Sequence, residues 1–532
     1  MNIVGLQVGH NPSVCLFKDG ELIWYNEESK VKKIKKMGGV PYECIDQLSK
    51  KKIKIDKFIV TGYNFNQELL VAIEGYLRYK NLTQDSIFCF YNPHHLSHLF
   101  KSFIDSGFKK ARVFVIDGKG SDWYLPTGAE FYETCSIYDI DYNNARCIYK
   151  RGYMSEDKLN TAKFKLSHNP LKNKNDELEY KPLGIDNKTK VEVNSDLDLG
   201  HLYSNLSQHC GFFEEEGKFM GYQSYGTFDK EVYKNIKNNS KKSYIKKLKP
   251  SVDVARTGQI LFEDQYMDLI KKYKTKDMVF TGGTALNVVN NYKIQKQFSK
   301  SNLWFDPLCE DTGNCIGVVY AYLYFEKKPI KKLNNIYIGE EITDFNYPLK
   351  NETIKNNVSL DDIIKILNKG EVVGLIQGKA EAGPRALGNR SLLLDPTLPG
   401  AKDLMNSIKK REEFRPFACS ILEDEADTYF DMLNIKQSPY MMHAPQARKL
   451  ARQKIPSLVH VDNTCRIQTI NKNQNKVLYN LLKKFKTPVI MNTSFNLAGY
   501  PMVDTFEDIV FTLRNSLLKY VYFADCKKLL IK

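Results

Sequence analysis

Val14-Cys-Leu-Phe-Lys-Asp-Gly-Glu-Leu-Ile-Trp-Tyr25 places Asp19-Gly20 between two apolar runs. That dipeptide supplies the positive-φ positions that a tight turn between right-twisted antiparallel strands requires. The pattern predicts paired strands within residues 2–28, with Met1-Asn-Ile-Val-Gly-Leu-Gln-Val-Gly-His10 read directly as a strand. A related pattern returns at Arg112-Val-Phe-Val-Ile-Asp-Gly118, with Glu130-Phe-Tyr-Glu-Thr-Cys-Ser-Ile-Tyr138 as the following strand. Each start leads into helical material. Two such starts predict a duplicated α/β unit.

At 532 residues the chain exceeds one ordinary core, so two or three domains are expected. No run of about 18 apolar residues occurs, which argues against a membrane span. The N-terminus lacks the basic-then-apolar pattern of a signal peptide. Eleven cysteines without a Cys-x-x-Cys pair point to a reducing cytoplasm rather than a disulfide framework or zinc ribbon. The net charge of +16 suits a polyanionic partner, and a lysine-rich composition without purpose is the alternative.

Residues 155–197 are polar and aperiodic, and read as a surface insertion. Residues 227–250 hold eight lysines against Asp229 and Glu231, a solvated helix face or a polyanion-binding one. The Lys-Lys-Pro-Ile-Lys-Lys run at 327–332 reads as a linker. It divides an N-terminal domain, 1–332, from a second domain over 340–532. The last helix and strand are expected over Thr505–Asn515 and Leu518–Cys526.

Four constellations could carry chemistry. Glu381-Ala-Gly-Pro-Arg-Ala-Leu-Gly-Asn-Arg390 and Lys409-Lys-Arg-Glu-Glu-Phe-Arg-Pro-Phe417 crowd arginines among glycines and prolines. Arginine's fork binds carboxylate or phosphate oxygens in pairs, and glycine lets backbone N–H groups approach an anion. The pair reads as an anion cradle, with a solvated basic loop as the alternative. Asn92-Pro-His-His-Leu-Ser-His98 puts His94 and His98 on one helical face. With Asp117 at a strand end and Asp311 before a helix, they suit a divalent ion such as Fe, Mn or Zn. An incidental histidine pair is the alternative. Thr281-Gly-Gly-Thr-Ala-Leu-Asn287 runs from strand to glycine turn to helix, a geometry that favours phosphate, although Gly-Gly also marks ordinary turns. Pro488-Val-Ile-Met-Asn-Thr-Ser-Phe-Asn496 alternates Ser494 and Asn496 onto one face. Lys409 and Arg411 would join them around a phosphate, and His460 and Arg466 stand in the same domain.

In this order and spacing, these residues resemble the O-carbamoyltransferases of antibiotic and nodulation-factor biosynthesis. The matching pieces run nearly end to end. They include Gly9-His10, His94-His-Leu-Ser-His98, Asp117-Gly118, Gly217-Lys-Phe-Met-Gly221, Gly282-Gly283, Gly383-Pro-Arg-Ala-Leu-Gly388, Arg415-Pro-Phe417, His460-Val-Asp462 and Asn492-Thr-Ser-Phe-Asn496. The resemblance implies an N-terminal duplicated actin/sugar-kinase-like domain. It also implies a C-terminal α+β domain with a twisted mixed sheet that forms carbamoyladenylate. The family joins carbamoyl phosphate and ATP into carbamoyladenylate and pyrophosphate, then carbamoylates an acceptor hydroxyl and releases AMP.

Carried over position by position, His94, His98, Asp117 and Asp311 would ligate the metal, Fe(II) by resemblance, with Mg accompanying ATP. Gly282, Gly283 and Asn287 would hold the nucleotide. Lys409, Arg411, Ser494 and Asn496 would bind carbamoyl phosphate and the ATP phosphates, with Arg385, Arg390, Arg415, His460, Arg466 and Asn492. His10 would take the acceptor proton, as an imidazole near its ordinary pKa suits a general base. The chain departs from the family at Asn11, Ser121 and Gly499-Tyr-Pro501, which bears on substrate contacts.

A strongly basic enzyme is more than a small sugar requires. Lysines at 30–36 and 227–250 could instead hold a nucleic-acid backbone. The expected acceptor is therefore 5-hydroxymethylcytosine, or another 5-hydroxymethylpyrimidine, in DNA, as in a phage-encoded enzyme of the host cytoplasm. Carbamoylation of a sugar or natural-product hydroxyl is the alternative. Transfer of threonylcarbamoyl to tRNA is a further one, against which Gly383–Gly388 and Arg415–Phe417 argue. A non-catalytic nucleotide-binding scaffold fits poorly with all four metal-type side chains. Homodimer formation stays open.

Overall fold

The computed structural model describes residues 1–62, 67–83, 87–90, 93–124, 130–155 and 188–532. Most of the expected insertion, 156–187, lies outside the described residues. The chain divides into two compact units. One comprises Met1–Glu28, Lys36–Leu286 and Lys300–Asn334; the other comprises Ser29–Lys35, Asn287–Ser299 and Asn335–Lys532.

The first unit carries two sheets built by the same rule. In the first sheet, Asn2–His10 pairs antiparallel with Ser13–Lys18, which pairs antiparallel with Glu21–Glu27. On its other edge Asn2–His10 runs parallel to Lys57–Gly62, and that strand runs parallel to Phe88–Cys89. In the second sheet, Lys110–Ile116 pairs antiparallel with Glu130–Asp141, itself antiparallel to Ala145–Tyr153. Its other edge runs parallel to Asp277–Thr281, and then to Asn302–Phe305. The duplication is thus visible in the hydrogen-bonding order. Asp19 and Gly20 both have positive φ, 50° and 80°, as the first hairpin requires.

Two helices fill the space between these sheets. Pro93–Ser106 packs on the second sheet and Asn314–Phe325 on the first, and the helices cross each other. Asn314–Phe325 is apolar nearly all round, as a helix covered on every side must be. The crossing is close enough that a Cβ on Gly317 would lie 2.0 Å from the Ser97 carbonyl oxygen. Gly317→Ala therefore has to push two buried helices apart, and should destabilise the chain by about 1–3 kcal/mol in chemical denaturation.

The second unit is built on an eight-stranded mixed sheet. Its order is Thr353–Lys355, Lys528–Ile531, Tyr520–Phe523, Val373–Ile376, Arg390–Leu394, Val489–Ser494, Ala418–Leu422 and Ile467–Ile470. Alternate residues feed opposite faces. Leu392, Leu394, Val489 and Met491 enter one apolar core, whereas Leu393 and Ile490 enter the other. Both faces are covered, so these strands read as continuous apolar runs. The C-terminal helix is Phe506–Arg514, started by a reciprocal Thr505–Asp508 capping box, and the strand Tyr520–Phe523 follows.

The units are discontinuous in sequence, where a single break at 332–340 was expected. Residues 29–35 and 287–299 are counted with the second unit. There Lys30 Nζ donates to the Glu381 carbonyl at 2.7 Å, Lys33 pairs with Asp508 at 2.6 Å, and Tyr292 Oη donates to the Asp431 carbonyl at 2.8 Å. Such contacts join residues 139 to 475 positions apart, which no local pattern announces.

Candidate metal centre and anion site

Helix Pro93–Ser106 presents His94 and His98 one turn apart. Asp117 follows the strand Lys110–Ile116, and Asp311 opens the turn ahead of helix Asn314–Phe325. The fold brings these four side chains together, with one donor atom of each within 4.8 Å of the others. His94 Nε2 lies 3.0 Å from Asp117 Oδ2 and 3.5 Å from Asp311 Oδ1. His98 Nε2 lies 3.7 and 3.4 Å from the same two oxygens. Bonds of about 2.1 Å to one ion would set neighbouring donors about 3.0–3.4 Å apart. The donor set therefore fits a single divalent ion, and two imidazoles with two carboxylates suit Fe, Mn or Zn.

The surrounding atoms orient these donors. Asp117 Oδ1 accepts the N–H of Gly118 at 2.8 Å and of Gly283 at 3.1 Å, which leaves Oδ2 facing the histidines. A Cβ on Gly282 would lie 2.4 Å from the Ile116 carbonyl oxygen, and one on Gly283 3.0 Å from Asp117 Oδ1. The glycine turn thus holds a carboxylate of the chain itself, where a nucleotide phosphate was expected. Asn287 caps helix Val288–Gln297 through the Asn290 N–H and is counted with the second unit. Asn314 Nδ2 lies 3.2 Å from His98 Nε2; its only sequence signal is its place three residues after Asp311.

Electrostatics bind the cluster together. Burial alone would lower His94, but the Asp311 charge and the Asp117 contact outweigh it and raise the imidazole to about 9 in the metal-free chain. His10 follows the same balance: its Nδ1 lies 3.4 Å from Asp311 Oδ2, and it is raised to about 9. His10 was expected as a base of ordinary pKa; in the metal-free chain Asp311 holds its imidazole above that value. Against the cost of burial, His94, His10 and His98 hold Asp311 well below the usual carboxylate range.

The residues expected to bind anions lie in the second unit. Lys409 is buried, and its Nζ donates to the Ser494 carbonyl, to Ser494 Oγ at 3.2 Å, to the Asn496 carbonyl at 3.1 Å and to Asn496 Oδ1 at 2.8 Å. The Arg411 guanidinium stacks 4.2 Å above the Phe417 ring and donates to the Asn406 side chain and the Pro416 carbonyl. Arg415 has one acid close by, Glu412 at 3.5 Å. Arg466 Nε is buried without a hydrogen-bond partner. Burial depresses Arg466 well below its ordinary value, and Arg385, Arg411 and Arg415 depress it further. Burial and then Arg415 bring Arg411 down to about 9. Lys409 is lowered by burial, Arg411, Lys35 and Arg415. Cations that depress one another in this way gain from a polyanionic ligand.

Other expected ligands take different parts. The 381–390 loop wraps a carboxylate of its own: buried Glu381 Oε1 accepts the N–H groups of Leu387 at 2.6 Å, Asn389 at 2.8 Å and Arg390 at 3.3 Å. Arg390 is fully buried and donates to the carbonyls of Gln377, Asn389, Glu340 and Gly378, so it shapes the loop rather than meeting a phosphate. Asn492 donates to Ser420 Oγ and Gln468 Oε1 inside the sheet. His460 is buried, with its backbone N–H on the Thr464 carbonyl.

One unit thus holds a cluster of cationic side chains and the other a metal-type donor set. Residues 47–267 match the family model described as carbamoyltransferase N-terminus, and 364–528 that described as carbamoyltransferase C-terminus. An uncharacterized protein of Methanocaldococcus jannaschii is 30% identical over 553 residues, covering 99% of this chain and 98% of that one. Nodulation protein NolNO of Sinorhizobium fredii is 25% identical, over 94% of this chain and 76% of its own. Nodulation protein U of Rhizobium fredii is 32% identical over 228 residues, 42% of this chain and 39% of its own. The chain belongs to the carbamoyltransferase family. It is an enzyme, a carbamoyltransferase, and no described helix is long and apolar enough to cross a membrane.

Proposed function

We propose that the second unit makes carbamoyladenylate from carbamoyl phosphate and ATP. The first unit then transfers the carbamoyl group to a hydroxyl of a 5-hydroxymethylpyrimidine in DNA, 5-hydroxymethylcytosine being favoured. The observation that carries the first half is the Lys409–Ser494–Asn496 cluster beside Arg385, Arg411, Arg415 and Arg466. Water cleaves carbamoyl phosphate, giving carbamate and free phosphate. A carbamate oxygen then attacks the ATP α-phosphorus, and pyrophosphate leaves. The cations stabilise the charge that gathers on the departing phosphates. The acceptor oxygen then bonds to the carbamoyl carbon, the bond to AMP breaks, and the hydroxyl proton is lost. Both phosphate and pyrophosphate should therefore be released, each in a one-to-one ratio with AMP.

His94, His98, Asp117 and Asp311 would hold the divalent ion, which would supply Lewis-acid polarisation at the transfer centre. Because a ligating imidazole must be deprotonated, binding has to displace the His94 proton. His94 is raised to about 9, so metal affinity should climb about tenfold per pH unit from neutrality and level off above pH 9. Calorimetric titration of the metal-free chain with Fe(II), Mn(II) or Zn(II) checks this.

Support for a DNA acceptor comes from residues 227–250. Lys230, Lys234 and Lys237 are spaced along the helix Lys230–Asn238, and Lys242, Lys246, Lys247 and Lys249 follow. None of these seven has an acidic partner among the described residues. Contacts to a phosphate backbone weaken steeply with salt. Transfer to hydroxymethylated DNA should fall about tenfold or more between 50 and 200 mM salt, whereas pyrophosphate exchange should change little. Mass spectrometry of reactions offered hydroxymethylated DNA, the free nucleotide or aminoglycosides names the acceptor. Salt-insensitive transfer to a free sugar, with no DNA binding, would sink the DNA reading.

A further inference from the structure

Beyond the metal donors, the first unit gathers a second cluster that the reaction as described leaves unused. Tyr132 and Tyr153 are direct cross-strand partners on Glu130–Asp141 and Ala145–Tyr153, with ring centres 5.3 Å apart. The His201 imidazole meets the Tyr153 ring edge-on at 4.5 Å, and Tyr132 Oη lies 2.9 Å from His201 Nε2. All three are half-buried, whereas the adjacent Phe131 and Glu133 are buried. Lys119 Nζ sits 5.1 Å from the centre of the Tyr132 ring. Burial lowers His201 to about 4, and the charges of Lys242 and Lys119 act in the same direction; the short helix Lys242–Ile245 packs on the helix that carries His201, and Lys119 Nζ also lies 3.9 Å from Asp122. Tyr132 Oη also lies 3.4 Å from His201 Nδ1, so the phenol sits along the nitrogen-bearing side of the imidazole.

The cluster is tied to the metal donors through the backbone. Lys119 is two residues beyond Asp117. A Cβ on Gly200 would lie 2.7 Å from the Asp117 carbonyl oxygen, so the helix Leu199–His209 starts in contact with that residue. Its first residue, Leu199, is held at φ +44° while its side chain is buried. A bulky residue adopts that conformation only when its surroundings enforce it, and such strain gathers at working sites. Here the Leu199 N–H is fixed on Gln265 Oε1 at 2.9 Å, and Asp198 pairs with Arg151.

We propose that Tyr132, Tyr153 and His201, flanked by Lys119 and Lys242, form the acceptor subsite and seat the flat ring of a phosphate-bearing acceptor, a nucleotide unit, beside Asp117. Aromatic side chains stack any base, and the lysines take its phosphate. The assignment rests on the nucleic-acid acceptor proposed above.

Steady-state transfer to 5-hydroxymethyl-2′-deoxycytidine monophosphate, and to a hydroxymethylated single-stranded oligodeoxynucleotide, tests it. Tyr153→Leu and His201→Ala should each raise the acceptor KM about tenfold while kcat changes less than about threefold. Lys242→Ala removes an exposed side chain, so its folding is not at risk. It should raise the KM for the oligonucleotide and lower the salt slope by about one unit. Wild-type transfer with unchanged acceptor KM in all three variants overturns the subsite and leaves the DNA reading standing. Equal losses in kcat and thermal stability with no change in KM mean a structural role and also overturn it. If the wild-type chain carbamoylates no nucleotide, the DNA reading fails and takes the nucleotide assignment with it.

Discussion

Asp311→Asn should abolish carbamoyl transfer and metal binding together while leaving carbamoyl-phosphate-dependent pyrophosphate exchange in place. Asp311 reaches three imidazoles at once. Its Oδ1 lies 3.4–3.5 Å from His94 and His98, and its Oδ2 lies 3.4 Å from His10. The amide keeps the shape but removes the charge that raises His94 and His10, and it turns one oxygen into a donor pointed at an imidazole. Losing groups that merely orient a metal ligand already costs about 10–100-fold in affinity or activity. A loss of at least about a hundredfold is therefore expected for both readouts. His94→Ala should behave alike. Tight metal binding and full transfer in either variant would remove the ligand assignment.

Lys409→Ala should have the opposite signature, with pyrophosphate exchange lost and metal binding kept. The ammonium is buried, and four oxygens of Ser494 and Asn496 surround it. It is therefore positioned before any phosphate arrives, which is the condition under which one donor is worth about 10²–10³ in rate. Lys409→Arg should not restore exchange, because a planar fork does not fit acceptors arranged around a point charge. Circular dichroism and a thermal melt distinguish lost chemistry from lost folding. Exchange within about threefold of wild type in the alanine variant would overturn the role given to Lys409.

What could be read from the sequence was what short spacing encodes. Asp19-Gly20 announces its hairpin because few residues accept two consecutive positive-φ positions. The second strand-rich start at Arg112 revealed the duplication because strands alternate locally. His94 and His98 could be paired because four residues make about one helical turn. What stayed hidden was long-range satisfaction of buried charge. The Glu381 carboxylate takes the backbone N–H groups of Leu387, Asn389 and Arg390, so this part of the loop serves an internal anion. Arg390 looked like a phosphate ligand by composition and instead meets four carbonyls. Glu133 and Lys150 form a fully buried ion pair behind the metal-facing helix, and Lys101 pairs with Asp306 in the same way. No periodicity marks such pairs, since each needs one partner at an arbitrary distance along the chain.

The two excursions at 29–35 and 287–299 carry a consequence for ancestry. A cut at residue 334 would strip the second unit of Lys30, Lys33 and Tyr292, together with the bonds they make to Glu381, Asp508 and Asp431. Neither unit can therefore be exchanged between genes as one uninterrupted block without leaving part of its fold behind. A lineage that split this chain into two separate polypeptides would first have had to replace those three anchors.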